Sequence, residues 1–198
     1  MIASPEPFHL APAAYLQMEE NSSVKHEYRD GQAYAMAGAS DAHVTIALNL
    51  ATELRNHLRG SDCRVYISDM KARLESLNRF YYPDVMVTCD NRDRETPLYK
   101  SFPCLIVEVL SDSTEAFDRG DKFADYQNLE TLQEYVLINT KRQRVECFRR
   151  RESGLWELQS YTPAQPSLQL RSVNFTGAIA ALYEDVVFLE APVSPEND

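Results

Sequence analysis

One glutamate inside an apolar run constrains this chain more than any other feature. Cys104-Leu105-Ile106-Val107-Glu108-Val109-Leu110 is apolar except at Glu108. A run with no polar–apolar alternation marks a central strand covered on both faces. A carboxylate buried there without a partner costs on the order of several kcal/mol. A cation is therefore expected beside Glu108. A divalent metal is one candidate, and Lys122 is another.

The preceding strand carries a second acid. Tyr81-Tyr82-Pro83-Asp84-Val85-Met86-Val87 is rich in aromatic and β-branched residues and is bounded by turn-formers. Asp84 and Glu108 on adjacent strands, turned to one face, would make a hard oxygen-rich site. Such a site suits Mg²⁺, which takes one or two carboxylates and keeps several waters; Mn²⁺ would serve in its place. After the second strand, Asp118, Lys122 and Tyr126 fall at i, i+4 and i+8 of a helix expected over about 115–128, so they share a face. As an exposed pair, Asp118 and Lys122 are worth a few tenths of a kcal/mol. Placed directly after a strand with a buried glutamate, Lys122 is expected to face the site, where an ammonium can orient water beside a phosphate. Tyr126 either packs or hydrogen-bonds a phosphate or a water. Phosphodiester hydrolysis needs these parts: a metal, a water nucleophile and a cation.

Charge bears on the partner. The chain has 198 residues and a formal net charge of −10, which argues against broad nonspecific binding to nucleic acid, since that relies on a basic surface. A local basic cleft can coexist with an acidic exterior. No apolar run approaches the length that spans a bilayer. The first residues lack the basic start and apolar block of a secretory signal, so a cytoplasmic location is expected. Cys63, Cys89, Cys104 and Cys147 show no paired spacing and read as reduced, buried thiols. The histidines do not form a zinc-ligand spacing. There is no Gly-rich phosphate loop and no Gly-x-Ser-x-Gly elbow.

Along the chain, residues 1–12 read as an N-terminal arm, 13–190 as a single domain and 191–198 as a polar tail. Asp30-Gly31 between alternating runs predicts a hairpin over about 24–36, with Glu27 in its first strand, where an exposed position would need no further explanation. Ser40 or Asp41 can cap a helix to about Arg59, with an apolar stripe through Val44, Leu48, Ala51 and Leu58. His43 in its first turn reads first as a surface residue. Residues 63–74 read as one strand, with Asp69 and Lys71 either exposed or at the mouth of a cleft, and residues 80–89 as the next. Residues 133–140 form another central strand, followed by a hairpin around Glu152-Ser153-Gly154. Arg149-Arg150-Arg151 reads as a solvated edge before it reads as a DNA contact. A strand over 167–170 and a short helix over 174–183 complete the chain.

Pro83-Asp84 followed by Glu108-Val109-Leu110 resembles the PD-(D/E)XK nuclease signature, with Leu110 at the place of the expected lysine. The wider text "KHEYRDGQAYAMAGAS", "YYPDVMVTCD", "IVEVLSDSTEAFDRGDKFADYQNL" and "EYVLI" is similar to the Uma-type restriction endonuclease family, from about Tyr15 to about Phe148. In that family the lysine has moved to the following helix. The resemblance implies an α/β fold of the restriction-endonuclease-like kind, a mixed central β-sheet flanked by α-helices. It implies a Mg²⁺-dependent endonuclease acting on DNA, often as a homodimer. Asp84, Glu108 and the backbone carbonyl of Val109 would bind the metal, Lys122 would position the water, and Glu27 would be a lesser site carboxylate. The chain departs from the family at Asp112, where a proline usually follows "EVLS". The acidic charge, the displaced lysine and Asp112 leave two alternatives open: a nuclease-fold binding or regulatory module without the chemistry, and a metal-dependent hydrolase of another phosphate ester.

Overall fold

The computed structural model describes residues 9–188. The elements run α1 (Pro12–Asn21), β1 (His26–Arg29), β2 (Gln32–Ala35), α2 (Asp41–His57), β3 (Arg64–Ile67), β4 (Lys71–Leu74), β5 (Arg79–Tyr81), β6 (Val85–Thr88), β7 (Tyr99–Lys100), β8 (Pro103–Leu110), α3 (Glu115–Arg119), α4 (Asp121–Tyr126), β9 (Glu134–Asn139), β10 (Val145–Arg150), β11 (Trp156–Tyr161), β12 (Ser167–Leu170), β13 (Phe175–Ala178) and α5 (Ile179–Leu182). Six strands form the central sheet, in the order β11-β10-β9-β8-β6-β3. Only β8 and β9 pair in parallel; the other neighbours are antiparallel. That parallel pair requires a crossover, and α3 and α4 provide it. A second sheet runs β2-β1-β5-β4-β7.

All of β8 is buried, as its apolar run requires. The period-2 alternation of a strand divides its side chains between two cores. Leu105, Val107 and Val109 face α2, packing with Ile46, Leu50 and Leu54. Ile106 and Leu110 face the other side, with Phe123, Tyr126 and Tyr135. Glu108 shares the parity of the second set, so it points toward α4.

Between β2 and β8 the chain changes sheet five times, and two of these crossings divide an expected strand. The strand expected over 63–74 is two strands, β3 and β4, separated by a turn in which the Met70 N–H donates to the Ile67 carbonyl at 3.0 Å. The strand expected over 80–89 is likewise divided into β5 and β6. Pro83 has no N–H to give a ladder, so the pairing ends there and Asp84 sits at the corner, immediately before β6. The hairpin β1–β2 matches its Asp-Gly signal. Asp30 and Gly31 both have positive φ, 43° and 90°, as a two-residue hairpin turn demands. The His9 ring occupies the space a Cβ at Gly31 would need, so the described end of the expected arm is packed onto the hairpin. The tail expected over 191–198 lies outside the described residues.

Four further expectations are corrected. The helix over 115–128 is interrupted at Gly120 (φ −109°, ψ −102°), a residue that holds helical geometry poorly. Cys63 and Cys89 form a disulfide, because the pairing of Arg64 with Thr88 sets the two cysteines opposite each other; Cys104 and Cys147 are free and buried. Residues 175–178 are the strand β13, paired with β12, and only 179–182 are helical. Arg149 is buried, neither a solvated edge nor a DNA contact. Its guanidinium donates to Glu134 at 2.6 Å and to the Tyr161 hydroxyl at 2.5 Å, while Arg151 is exposed. Among the described residues no helix is long and apolar enough to cross a membrane.

The Arg149–Glu134 pair yields a stability prediction. Arg149→Met leaves the Glu134 carboxylate buried with only Ser172 and Cys147 as partners, which should cost about 3–5 kcal/mol in urea denaturation. A loss below about 1 kcal/mol would contradict this account of the pair.

Candidate active site

Four elements bring charged side chains to one point beside the end of β8. Glu108 comes from that strand. Lys122 comes from the first turn of α4, which Phe123 and Tyr126 hold against the sheet. Glu27 comes from β1 of the second sheet, and Asp84 from the corner before β6. Lys122 Nζ lies 3.0 Å from Glu108 Oε1, 3.0 Å from Glu27 Oε1 and 3.6 Å from Asp118 Oδ1. Lys122, Glu108 and Asp118 are each 5% exposed or less. The Asp118–Lys122 pair is thus at the floor of the site rather than on an open helix face. The break at Gly120 does not separate them.

Asp84 is held from two sides. Its Oδ2 accepts the Val109 N–H at 2.7 Å, and its Oδ1 lies 2.8 Å from His43 Nε2. A strand residue directs its N–H and its carbonyl to the same edge, so the Val109 carbonyl leaves β8 on the Asp84 side. Tyr126 is fully buried and donates to Glu108 Oε1 at 3.0 Å. Its hydroxyl is therefore behind the glutamate, not in the cleft. Asp69 and Lys71 do not line the cleft; Asp69 pairs with Lys25 on the surface. Glu27, His43, Asp84, Glu108, Asp118 and Lys122 all line one cleft of about 790 Å³.

His43 and Asp118 are the residues that sequence reasoning undervalued. Both occupy first turns of helices, where a polar side chain has an ordinary surface explanation. The Ser40 cap, whose hydroxyl accepts the His43 N–H at 3.3 Å, fixes where α2 begins. Only the tertiary fold shows that this start overlooks Asp84.

The site is over-supplied with acid. Four carboxylates (Glu27, Asp84, Glu108 and Asp118) meet one ammonium and one imidazole. Burial pushes Glu108 well above the usual carboxylate range; Lys122 pulls it back, while Asp118 and Asp84 push it further up. Burial raises Asp118 as well, against the pull of Lys122. For Lys122, burial favours the neutral amine, but Glu108, Glu27 and Asp118 together outweigh it and hold the ammonium well above the ordinary lysine range. Lys122 is a fixed cation, not a proton acceptor. Burial raises Tyr126 too, with Glu108 adding to the shift, which keeps the phenol a donor.

The family model described as "Uma2: Putative restriction endonuclease" matches residues 12–180. The chain belongs to the Uma2 family. Two proteins of the cyanobacterium Synechocystis sp. (strain PCC 6803) are similar to this Uma2 chain. Slr1290 is 41% identical over 179 residues, 90% of this chain and 94% of the relative. Sll1609 is 34% identical over 151 residues, 75% of this chain and 85% of the relative. A crystal structure from Anabaena variabilis described as a "putative nuclease belonging to DUF820" superposes with a TM-score of 0.74, covering 91% of this chain and 100% of that one at 14% identity. That likeness establishes the fold: mixed α/β, as expected of the Uma2 sequence pattern.

The cluster has a measurable pH signature. Glu108 and Asp118 bind their protons more tightly in the folded chain than in the unfolded one. Their contribution to stability therefore falls as pH rises from the ordinary carboxylate range through the raised values. Lys122 contributes stability that is present below the ordinary lysine range and lost only as pH climbs through its raised value. A ¹³C NMR titration of the side-chain carboxyls should find both acids titrating above the usual range, and higher still in Lys122→Met. Midpoints at or below the usual range would contradict this electrostatic reading.

Proposed function

We propose that this Uma2 protein is a divalent-metal-dependent endonuclease that hydrolyses phosphodiester bonds of DNA. The observation that carries the reading is the convergence of Lys122 from α4 on Glu108 of β8, at 3.0 Å, at the floor of a cleft that Asp84 also lines. A surplus of buried negative charge is what a divalent cation would balance. The donors are hard oxygens, which suit Mg²⁺ or Mn²⁺. Among the described residues no three His, Cys, Asp or Glu side chains stand as a ready coordination shell. Two carboxylates and a backbone carbonyl suffice for Mg²⁺, which keeps the rest of its shell as water.

Asp84, Glu108 and the Val109 carbonyl would hold the metal. When bound, it would neutralise charge developing on the phosphoryl oxygens. The remaining work falls to this chain's own groups. Lys122, permanently charged and tied to Glu108 and Glu27, would offer its one remaining N–H to the attacking water and so orient it. Glu27 anchors the other side of that ammonium. Tyr126 positions the Glu108 carboxylate from behind. His43 and the Val109 N–H fix the rotation of Asp84, so its oxygens are oriented before substrate arrives. The organisation is electrostatic and pre-formed, which is where most of the rate of such reactions arises.

Asp84→Asn and Lys122→Arg should each lower Mg²⁺-dependent cleavage of DNA, offered both single-stranded and as duplex, by roughly 10²–10³-fold or more, with circular dichroism unchanged. Undiminished cleavage by the purified Asp84→Asn/Lys122→Arg double variant would remove this mechanism.

A further inference from the structure

The walls of the cleft are unlike its floor. Val44 and Leu48 on α2 are 54% and 57% exposed, and Ile67 at the end of β3 is 48% exposed. With Met36 they form an aliphatic wall of the cleft that holds Glu108 and Lys122. Tyr34 and Phe117 add aromatic rings at its edge, and Tyr34 is 40% exposed. Large apolar side chains left open around a charged floor mark a surface shaped for a ligand with an apolar face.

Duplex nucleic acid does not offer one. It presents two phosphate backbones, which a protein binds by neutralising them with lysine and arginine. The lysines lining this cleft are already committed: Lys25 to Asp69, and Lys122 to Glu27 and Glu108. An unpaired base offers a π-face that packs on aromatic and aliphatic side chains whatever its sequence. The cleft volume of about 790 Å³ lies in the range that encloses small ligands, a nucleotide-sized occupant rather than a double helix.

Against the rings lies one cation that no carboxylate neutralises among the described residues. The Arg29 guanidinium lies 4.0 Å from the centre of the Tyr34 ring and 4.9 Å from that of Phe117. Among the described residues its buried Nε has no hydrogen-bond partner and the side chain joins no ion pair. It lines an adjoining cavity of about 460 Å³ that shares Tyr34 and Phe117 with the cleft. Asp30, Asp121 and Asp125 line that cavity too, and Arg79 there is paired with Asp125, so it suits one phosphate at Arg29 rather than a run of them.

We infer that the substrate enters as a single strand or an unpaired segment, its base against the Val44–Leu48–Ile67 wall and the Tyr34 and Phe117 rings, with an adjacent phosphate at Arg29. This rests on the phosphodiesterase reading above and adds the substrate class to it. The wall selects the unpaired base, and the floor carries the chemistry.

Fluorescence anisotropy with one labelled DNA oligonucleotide, single-stranded and annealed to its complement, tests this with Ca²⁺ in place of Mg²⁺. The single strand should bind at least roughly tenfold more tightly than the duplex. Leu48→Asp and Ile67→Asp, both exposed positions, should each remove roughly tenfold or more of that affinity. Equal or tighter binding of the duplex would overturn the inference. So would single-strand binding unchanged in both variants, including the case where they only convert a dimer to monomers in light scattering. A parallel Mg²⁺ cleavage assay separates the two readings. Cleavage with binding indifferent to Leu48 overturns the wall and spares the chemistry. Binding that depends on Leu48 without cleavage supports the wall and counts against the chemistry.

Discussion

A lysine ammonium with almost no access to water holds this structure's buried charge cluster together. Lys122 is tolerable at 5% exposure because Glu108 and Glu27 each lie 3.0 Å away. Those carboxylates are in turn tolerable because Lys122 is there. A buried charge without its partner is costly, so β8, β1 and α4 can adopt their relative positions only as a set. This ties the crossover after β8 to a hairpin of the other sheet, and the corner at Pro83-Asp84 then brings Asp84 to the same cleft.

Much of this was legible in the residues. The apolar run around Glu108 announced both a central strand and a need for a cation, because a carboxylate in that setting has few physical solutions. Asp-Gly at 30–31 announced the hairpin, and helical spacing placed Lys122 and Tyr126 on a shared face. The strand ranges were less legible. Nothing local distinguishes a long strand from two short ones that change sheets, except Pro83, whose missing N–H is the break point. Gly120 was a visible weak point, but whether it bends or ends a helix depends on packing.

The features that escaped the sequence are those created by distant pairing. Cys63 and Cys89 become partners only through the antiparallel register of β3 and β6. Arg149 stands in a basic run that looks solvated, yet strand parity turns it inward onto Glu134, with Arg150 on the opposite face and Arg151 past the end of β10. His43 looked like a first-turn surface residue, and it lies 2.8 Å from Asp84 only because α2 packs across β8. Tyr126 was placed on the right face with packing and a cleft contact both open; its hydroxyl supports Glu108 from within the core.

The account's central claim is that Asp84 and Glu108, presented by the ends of β6 and β8, bind one metal ion in front of Lys122. Anomalous diffraction from a crystal soaked in Mn²⁺ tests it most directly. The account predicts one anomalous peak within bonding distance of both carboxylates, lost in Asp84→Asn. No peak at millimolar Mn²⁺, or a peak held by other side chains and beyond bonding distance of Asp84 or Glu108, would contradict it.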